Sequence, residues 1–282
     1  MKKLTFLSLL LVFASLVHAQ IYFRAGGGYA LPLATQGAGQ KNMTVQNGNG
    51  ATLSATSELV KASYGAGVNF NLGAGYMFSK HIGAELNFSY LLGKEFESST
   101  TVIEEDESIE LVASTKSKAI YITPALVISA GEGSKVPYAK LGVVMGVPQL
   151  DQKLTISMDG TDGTNTATGN YKYQKGMSFG FMGAVGMNWM VSNNIDILTE
   201  INFISMTYYP KEYVLTSLVS NGEKQDLDDF DEYDKKTIFK EKIDVVEDPD
   251  QDEPREALQE SMPFSSISFQ VGIVYFLGRN LD

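Results

Sequence analysis

Residues 65–92 read GAGVNFNLGAGYMFSKHIGAELNFSYLL, and this stretch decides the predicted fold. Apolar residues alternate with small or polar residues on both sides of Ser79-Lys80-His81. Because alternate side chains of an extended chain point to opposite faces, this pattern predicts two β-strands joined by a tight turn. One face of the predicted hairpin is wholly apolar, and the other is small or polar.

The composition narrows the class of protein. The chain has 282 residues, a formal net charge of −11 and no cysteine. This length fits one large all-β domain or two small domains, and the negative charge argues against nucleic acid as a partner. A chain without cysteine has no disulfides, thiol catalysis or thiolate metal site, and it lacks the attachment residue of a bacterial lipoprotein.

Residues 1–19 are predicted to be a cleaved secretory signal. Lys2 and Lys3 form its basic start, an apolar run of 14 residues ends at Val17, and the small residue Ala19 precedes the predicted cleavage point. An apolar run of this length is shorter than the ~20 residues of a membrane-spanning helix. Since no later stretch is long enough for such a helix, the exported chain is predicted to be periplasmic, secreted or a membrane β-barrel.

The same alternation recurs along the mature chain. It predicts eight strands, at 21–31, 65–78, 82–92, 118–128, 136–148, 177–191, 195–208 and 264–277. Pro124 lies inside the fourth strand and predicts a bulge or a local break in pairing, because proline has no backbone N–H to donate. Four connections are long and polar and are predicted to be loops, at 33–63, 97–117, 151–175 and 211–262.

Long and short connections alternate regularly, which favours an outer-membrane barrel. Such barrels have short periplasmic turns, long extracellular loops and an even number of strands. A secreted β-sandwich can also contain eight strands, but it does not require this alternation or an apolar face on almost every strand. We therefore predict an all-β fold for residues 20–282, an eight-stranded antiparallel up-and-down transmembrane β-barrel with short periplasmic turns and four long extracellular loops.

The inward face of the predicted barrel carries charge. It includes the lumen residues Arg24, Glu85, Lys140 and Glu200, together with several Asn and Gln side chains. An eight-stranded barrel has an interior that side chains can fill, and an unpaired buried charge is costly. The four charges are therefore predicted to pair and plug the lumen. The alternative interpretation is a gated ion path lined by the same charges.

The last predicted loop, at 211–262, is strongly acidic. Residues 223–260 hold 16 acidic and 6 basic residues, a net charge of −10. The side chains proposed as a weak divalent-cation loop are Asp226, Asp228, Asp229 and Asp231. The glycine and glutamate of a calcium-binding EF-hand are missing from the pattern, so a solvated surface loop, with a short helix at 254–259, is the simpler prediction. Bridging to anionic lipopolysaccharide through divalent cations is a further hypothesis.

The sequence does not predict an enzyme. His81 is the single histidine of the mature chain, in a predicted turn, so neither a Ser-His-Asp nor a Cys-His arrangement is visible. No cofactor or metal site is predicted.

Aromatic residues near strand ends fit interfacial girdles, and they are Tyr76, Phe78, Tyr90, Phe96, Trp189, Tyr208, Tyr209, Tyr275 and Phe276.

Three segments, AELNFSYL, PYAKLGV and the closing SFQVGIVYFLG, together with the strand pattern, resemble the OmpA/OmpW-like "outer membrane protein beta-barrel domain" family of Bacteroidetes, which includes PorT-like barrels. The resemblance covers 20–282. It implies a Gram-negative cell outer membrane, contact with lipid and lipopolysaccharide, and insertion by the barrel-assembly machinery, which reads the last strand, 264–277. Five residues follow Leu277, whereas a typical insertion signal ends on an aromatic residue.

Three functions stay open after the resemblance. The first is a structural or surface-interaction role for a plugged barrel. The second is a small pore or conduit for ions or small hydrophobic solutes, and the third is a barrel accessory of a Bacteroidetes secretion or gliding system.

Overall fold

The computed structural model describes residues 20–33, 36–46, 52–104, 107–161, 163–243 and 249–277. The predicted signal at 1–19 lies outside this part of the chain. Within it the fold is all-β, with one short helix, α1 (Glu232–Lys235), and one 3-10 turn (Leu227–Asp229). Among the described residues, no helix has the length and apolarity needed to cross a membrane.

Sixteen strands are present in the described ranges. They are β1 (Gln20–Pro32), β2 (Gln36–Gln46), β3 (Thr52–Ala62), β4 (Gly67–Met77), β5 (Ile82–Glu104), β6 (Glu107–Ser129), β7 (Lys135–Gly160), β8 (Gly163–Gln174), β9 (Ser178–Ser192), β10 (Ile195–Tyr208), β11 (Glu212–Ser220), β12 (Glu223–Lys224), β13 (Lys236–Lys240), β14 (Arg255–Leu258), β15 (Met262–Pro263) and β16 (Ser266–Leu277).

Eight of these strands form a closed antiparallel ring, in the order β1-β4-β5-β6-β7-β9-β10-β16. β16 pairs with β1 over twelve residue pairs, from Ile21–Leu277 to Pro32–Ser266, and this pairing closes the ring. Each of the eight strands predicted from the sequence contributes to the ring. Closure gives both edges of every ring strand a hydrogen-bonding partner, as a membrane-spanning sheet requires.

Burial alternates along the ring strands and separates a lumen from an outer surface. In β16, Phe269 and Val271 are more than half exposed, whereas Gln270 and Val274 are buried. The other ring strands show the same pattern, so the outer surface is apolar and the interior contains most of the polar side chains. A continuous exposed apolar surface of this kind is typical of contact with lipid.

Three short turns lie at one end of the ring, at 78–81, 130–134 and 193–194, as predicted. We call this the short-turn end.

The predicted break in pairing at Pro124 is also confirmed. The β6–β7 ladder has pairs Ile122–Met145 and Ala125–Gly142, and it has none between them.

The four segments predicted to be long polar loops contain strands among the described residues. β2 and β3 lie in 33–63, β5 and β6 run through 97–117, and β7 and β8 occupy 151–175. β11 to β15 lie in 211–262, where β14 replaces the helix predicted at 254–259. Several of these strands, such as β2 and β8, carry few apolar residues, so they lack the alternation that marked the ring strands.

These additional strands extend the ring strands β5, β6 and β7 into an open sheet beyond the ring. Its order is β14-β13-β11-β8-β7-β6-β5-β2-β3, with parallel pairing of β2 with β5 and of β13 with β14. We call it the extended sheet, and the end of the ring from which it projects is the sheet end. β3 and β14 are its edge strands.

Two of the predicted girdle aromatics lie inside the ring. Tyr208 and Phe276 are buried, because their positions in β10 and β16 have inward parity. Phe78, Trp189, Tyr209 and Tyr275 are exposed.

The close pairing of β1 with β16, which we call the seam, requires a glycine at position 28. A Cβ at Gly28 would lie 2.0 Å from the carbonyl oxygen of Phe269, whereas a Cβ at Gly27 would lie 3.2 Å from its nearest neighbour, the carbonyl oxygen of Asn69. We expect Gly28→Ala to force the seam apart and to lower the free energy of unfolding by about 1–3 kcal/mol.

Urea unfolding in detergent, followed by the heat-shifted gel band of the folded barrel, measures this change. Gly27→Ala is the matched control and is expected to have a smaller effect, because only a small shift relieves its contact. Equal destabilisation by the two variants would contradict this account of ring closure.

Candidate functional site

The four charges predicted for the lumen lie in one contact group. Lys140 Nζ donates to both carboxylate oxygens of Glu85, at 2.8 and 2.9 Å, and lies 3.1 Å from Glu200 Oε2. Arg24 Nη1 donates to Glu200 Oε2 at 2.9 Å and to Glu85 Oε1 at 3.3 Å. All four residues are buried. Each cation therefore contacts both carboxylates.

Two tyrosines complete this group, which we call the charge cluster. The Tyr22 hydroxyl donates to Glu85 Oε2 at 2.8 Å, and the Tyr138 hydroxyl donates to Glu200 Oε2 at 2.9 Å. Lys140 Nζ also lies 5.0 Å from the centroid of the Tyr138 ring, within the range of a cation–π contact. The sequence analysis did not select either tyrosine.

Glycines on neighbouring strands make room for the tyrosine rings. Gly75 pairs with Tyr22, and a Cβ there would lie 2.1 Å from Tyr22 Cζ. Gly186 pairs with Tyr138, and a Cβ there would lie 2.5 Å from Tyr138 Cζ. A glycine inside a strand commonly marks such a close approach. The rings can therefore lie across the adjacent strand and reach the carboxylates.

The cluster is built from the same short pattern in each half of the ring. β1 carries Tyr-x-Arg at 22–24 and β7 carries Tyr-x-Lys at 138–140, while β5 and β10 each carry Glu-x-Asn, at 85–87 and 200–202. In ring order, β7 and β10 lie four strands after β1 and β5 respectively. This repeat was the sequence signal that would have identified both tyrosines.

The cluster has no formal net charge, because two cations face two carboxylates. Mutual pairing offsets the large cost of removing these charges from water. Arg24 Nε and Nη2 have no protein hydrogen-bond partner in the described part of the chain, so the guanidinium uses only one of its nitrogens.

A polar layer lies next to the cluster, toward the sheet end. Asn71 Nδ2 donates to Gln270 Oε1 at 2.9 Å, and Gln270 Nε2 donates to Ser268 Oγ at 3.2 Å. The side-chain oxygens without a donor among the described residues include those of Asn69, Asn71, Asn87 and Asn202.

An apolar group closes the lumen at the sheet end, and we call it the cap. Its fully buried members include Val144, Leu150, Tyr208 and Phe264, which pack in one cluster with Met182, Met206 and Met262. Backbone hydrogen bonds hold the two segments that contain Tyr64 and Phe264. The Tyr64 N–H donates to the carbonyl oxygen of Pro263 at 2.9 Å, and the Phe264 N–H donates to that of Met206 at 2.9 Å. These bonds tie both segments over the lumen.

Aromatic residues of the extended sheet lie against the cap. Tyr173 packs against the cap cluster and lies 4.4 Å, between ring centroids, from Tyr213, which stacks on Tyr171 at 4.8 Å. Burial raises the pKa of Tyr173 and of Tyr213, so these hydroxyls stay neutral at physiological pH.

At the opposite, short-turn end the side chains of the described residues do not fill the lumen. A cavity of about 360 Å³ lies between the turns and the charge cluster. Its walls are largely apolar and include Met77, Val127, Val136, Val274 and Phe276, while its inner end is formed by Tyr22, Arg24, Glu85, Tyr138 and Lys140.

The four aspartates of the predicted divalent-cation loop lie outside the ring, around the 3-10 turn and α1. Asp226 Oδ1 accepts a hydrogen bond from the backbone N–H of Asp228 at 3.1 Å, as a cap of the turn. Within the described residues, no group of three or more His, Cys, Asp or Glu side chains is arranged to hold a metal ion. The cation loop stays a prediction.

Comparisons with known proteins give a family for this chain. A family model described as "Outer membrane protein beta-barrel domain" matches residues 4–238. No curated protein matches the sequence. The family assignment therefore comes from the family model.

Three solved structures are among those to which this chain is similar. OprG from Pseudomonas aeruginosa is 11% identical with a TM-score of 0.41, over 92% of this chain and 96% of that chain. Ail of Yersinia pestis is 11% identical with a TM-score of 0.34, over 92% and 97%. CarO2 of Acinetobacter baumannii is 14% identical with a TM-score of 0.30, over 91% and 99%.

Two ion-paired lysines that differ in burial allow a test of how much the charge cluster contributes to the free energy of unfolding. The Lys140 side chain is 3% exposed, and that of Lys118, which pairs with Asp151 at 2.9 Å, is 36% exposed. We expect Lys140→Met to lower the free energy of unfolding by about 3–5 kcal/mol, because it leaves two buried carboxylates facing a single cation.

Lys118→Met is the matched control, and its expected cost is below about 1 kcal/mol because solvent screens that pair. Urea midpoints of the two variants in one detergent measure the difference. A similar, small effect of both substitutions would mean that the buried pairs do not hold the ring together.

Proposed function

Because this chain belongs to the outer membrane protein beta-barrel domain family, we propose that it is an integral outer-membrane barrel with a closed lumen and a structural or surface-interaction role. Family membership places it in the outer membrane. The observation that carries the closed lumen is the charge cluster, in which every cation contacts both carboxylates across the interior.

Two barriers in series support the closed lumen. The charge cluster fills the middle of the ring, and the cap fills its sheet end with fully buried side chains such as Leu150, Tyr208 and Phe264. The two barriers have different chemistry, since one is ionic and the other apolar. An ion crossing the lumen would have to break the salt bridges and pass the apolar cap, and both steps are costly.

The extended sheet is the part of the protein proposed to act at the surface. In outer-membrane barrels the short turns face the periplasm and the longer connections face outward, and this rule supports an extracellular sheet end. Strands β5, β6 and β7 continue from the ring into this sheet without interruption. The closed barrel then serves as a rigid base for an exposed β-surface.

Residues 1–19 direct export, lipid and lipopolysaccharide surround the ring, and the barrel-assembly machinery recognises 264–277. We also propose a non-catalytic role. His81, the only histidine among the described residues, lies in a short turn, where its Nδ1 is 3.1 Å from the carbonyl oxygen of Ser129.

A small pore is the second candidate function, and the polar layer favours it. Several amide oxygens there, including those of Asn87 and Asn202, have no donor among the described residues, and such groups can interact with water or ions. This candidate requires the cap and the cluster to open together.

Single-channel conductance in a planar bilayer distinguishes the two candidates. We expect the protein to be silent, and we expect Glu85→Gln to be silent as well, because the cap blocks the lumen independently of the cluster. The heat-shifted gel band establishes that each protein is folded. A steady conductance that changes in Glu85→Gln would replace the closed barrel with a charge-lined pore.

A further inference from the structure

We propose that the cavity at the short-turn end is a binding pocket for a small neutral molecule that has an apolar body and one hydroxyl or amide N–H donor. This proposal goes beyond the closed barrel, because it assigns a ligand site to the short-turn end of the lumen, which the described side chains do not fill. A volume of about 360 Å³ lies within the range of small-molecule pockets in proteins.

The short turns lie at the mouth of the pocket. The mouth is lined by the turns at 78–81 and 130–134, and the exposed side chains of Lys80 and Glu132 form an ion pair there at 3.1 Å. The inner end is the charge cluster. A ligand therefore enters from the side of the short turns and stops at the cluster.

The electrostatics of the inner end favour a neutral ligand. The side chains of Arg24, Glu85 and Lys140 line the cavity, yet each is no more than 3% exposed and is paired within the cluster. A charged ligand would lose its hydration and would meet a cluster whose two cations and two carboxylates give no net opposite charge in exchange. A neutral molecule avoids this cost.

The walls define the rest of the ligand. Met77, Val127, Val136 and Val274 supply apolar surface, which favours an apolar body. Asn188 also lines the cavity, directly opposite Val136 in the β7–β9 ladder, and its buried Oδ1 has no hydrogen-bond donor among the described residues. A ligand hydroxyl or amide N–H would satisfy this acceptor, which is costly to leave unpaired.

Cysteine labelling tests whether the pocket is open. The chain contains no cysteine, so each variant has a single thiol. Val136 and Val144 have the same inward parity on β7 and lie on either side of Lys140, but Val136 lines the cavity and Val144 is fully buried in the cap. The neutral reagent N-ethylmaleimide should label Val136→Cys and should leave Val144→Cys unlabelled in the folded full protein.

Protection by benzyl alcohol tests the ligand chemistry. At ten times its dissociation constant it should slow labelling of Val136→Cys about tenfold, because about one pocket in eleven stays free. Ser134→Cys, in the exposed 130–134 turn and outside the cavity lining, controls for effects on the reagent or detergent. Toluene lacks the donor and should bind about fivefold more weakly, and Asn188→Leu should abolish that difference.

Three results would overturn the proposal. They are no labelling of Val136→Cys in folded protein, equal labelling of Val144→Cys, and protection by toluene equal to that by benzyl alcohol. Val127→Cys, on the wall formed by β6, replaces Val136→Cys if that variant does not give the heat-shifted folded band. Conductance tests the closed lumen separately, so failure of the pocket and failure of the closed barrel are distinguishable.

Discussion

The pairing of four buried charges is the constraint on which the rest of the lumen depends. A ring of eight strands can enclose Arg24, Glu85, Lys140 and Glu200 only if they neutralise one another, because isolated charges in this interior would be too costly. Pairing requires that strands far apart in sequence keep a fixed register around the ring. It also divides the lumen, with an apolar-walled cavity on one side and the polar layer and cap on the other.

The internal repeat explains how one short pattern meets this constraint twice. Each half of the ring supplies a Tyr-x-cation pattern, a glycine on the next strand and a Glu-x-Asn pattern. Each tyrosine bonds the carboxylate of its own half, at Tyr22–Glu85 and Tyr138–Glu200, while each cation contacts the carboxylates of both halves. The tyrosines thus orient the acids, and the cations join the two halves.

Alternation was enough to predict the ring strands and to place Arg24, Glu85, Lys140 and Glu200 inside. It was not enough to predict which of them touch, because that depends on the stagger of all eight strands. The alternation along β10 and β16 puts Tyr208 and Phe276 on the inward face. Their position near strand ends nevertheless led to the prediction that they belong to the interfacial aromatic girdles. Strands of the extended sheet such as β2 and β8 were missed because they carry few apolar residues and therefore show no clear alternation. The cap was missed because Phe264 reads as part of the last strand, although it inserts over the lumen.

A double-mutant cycle between Glu85 and Lys140 tests the central claim most directly. The free energies of unfolding of Glu85→Gln, Lys140→Met and the double variant give the coupling between the two side chains. The account predicts a coupling of about 1–3 kcal/mol, as expected for side chains within one buried network. A coupling near zero, with all three variants folded, would show that the charges do not stabilise one another and that another interaction closes the lumen.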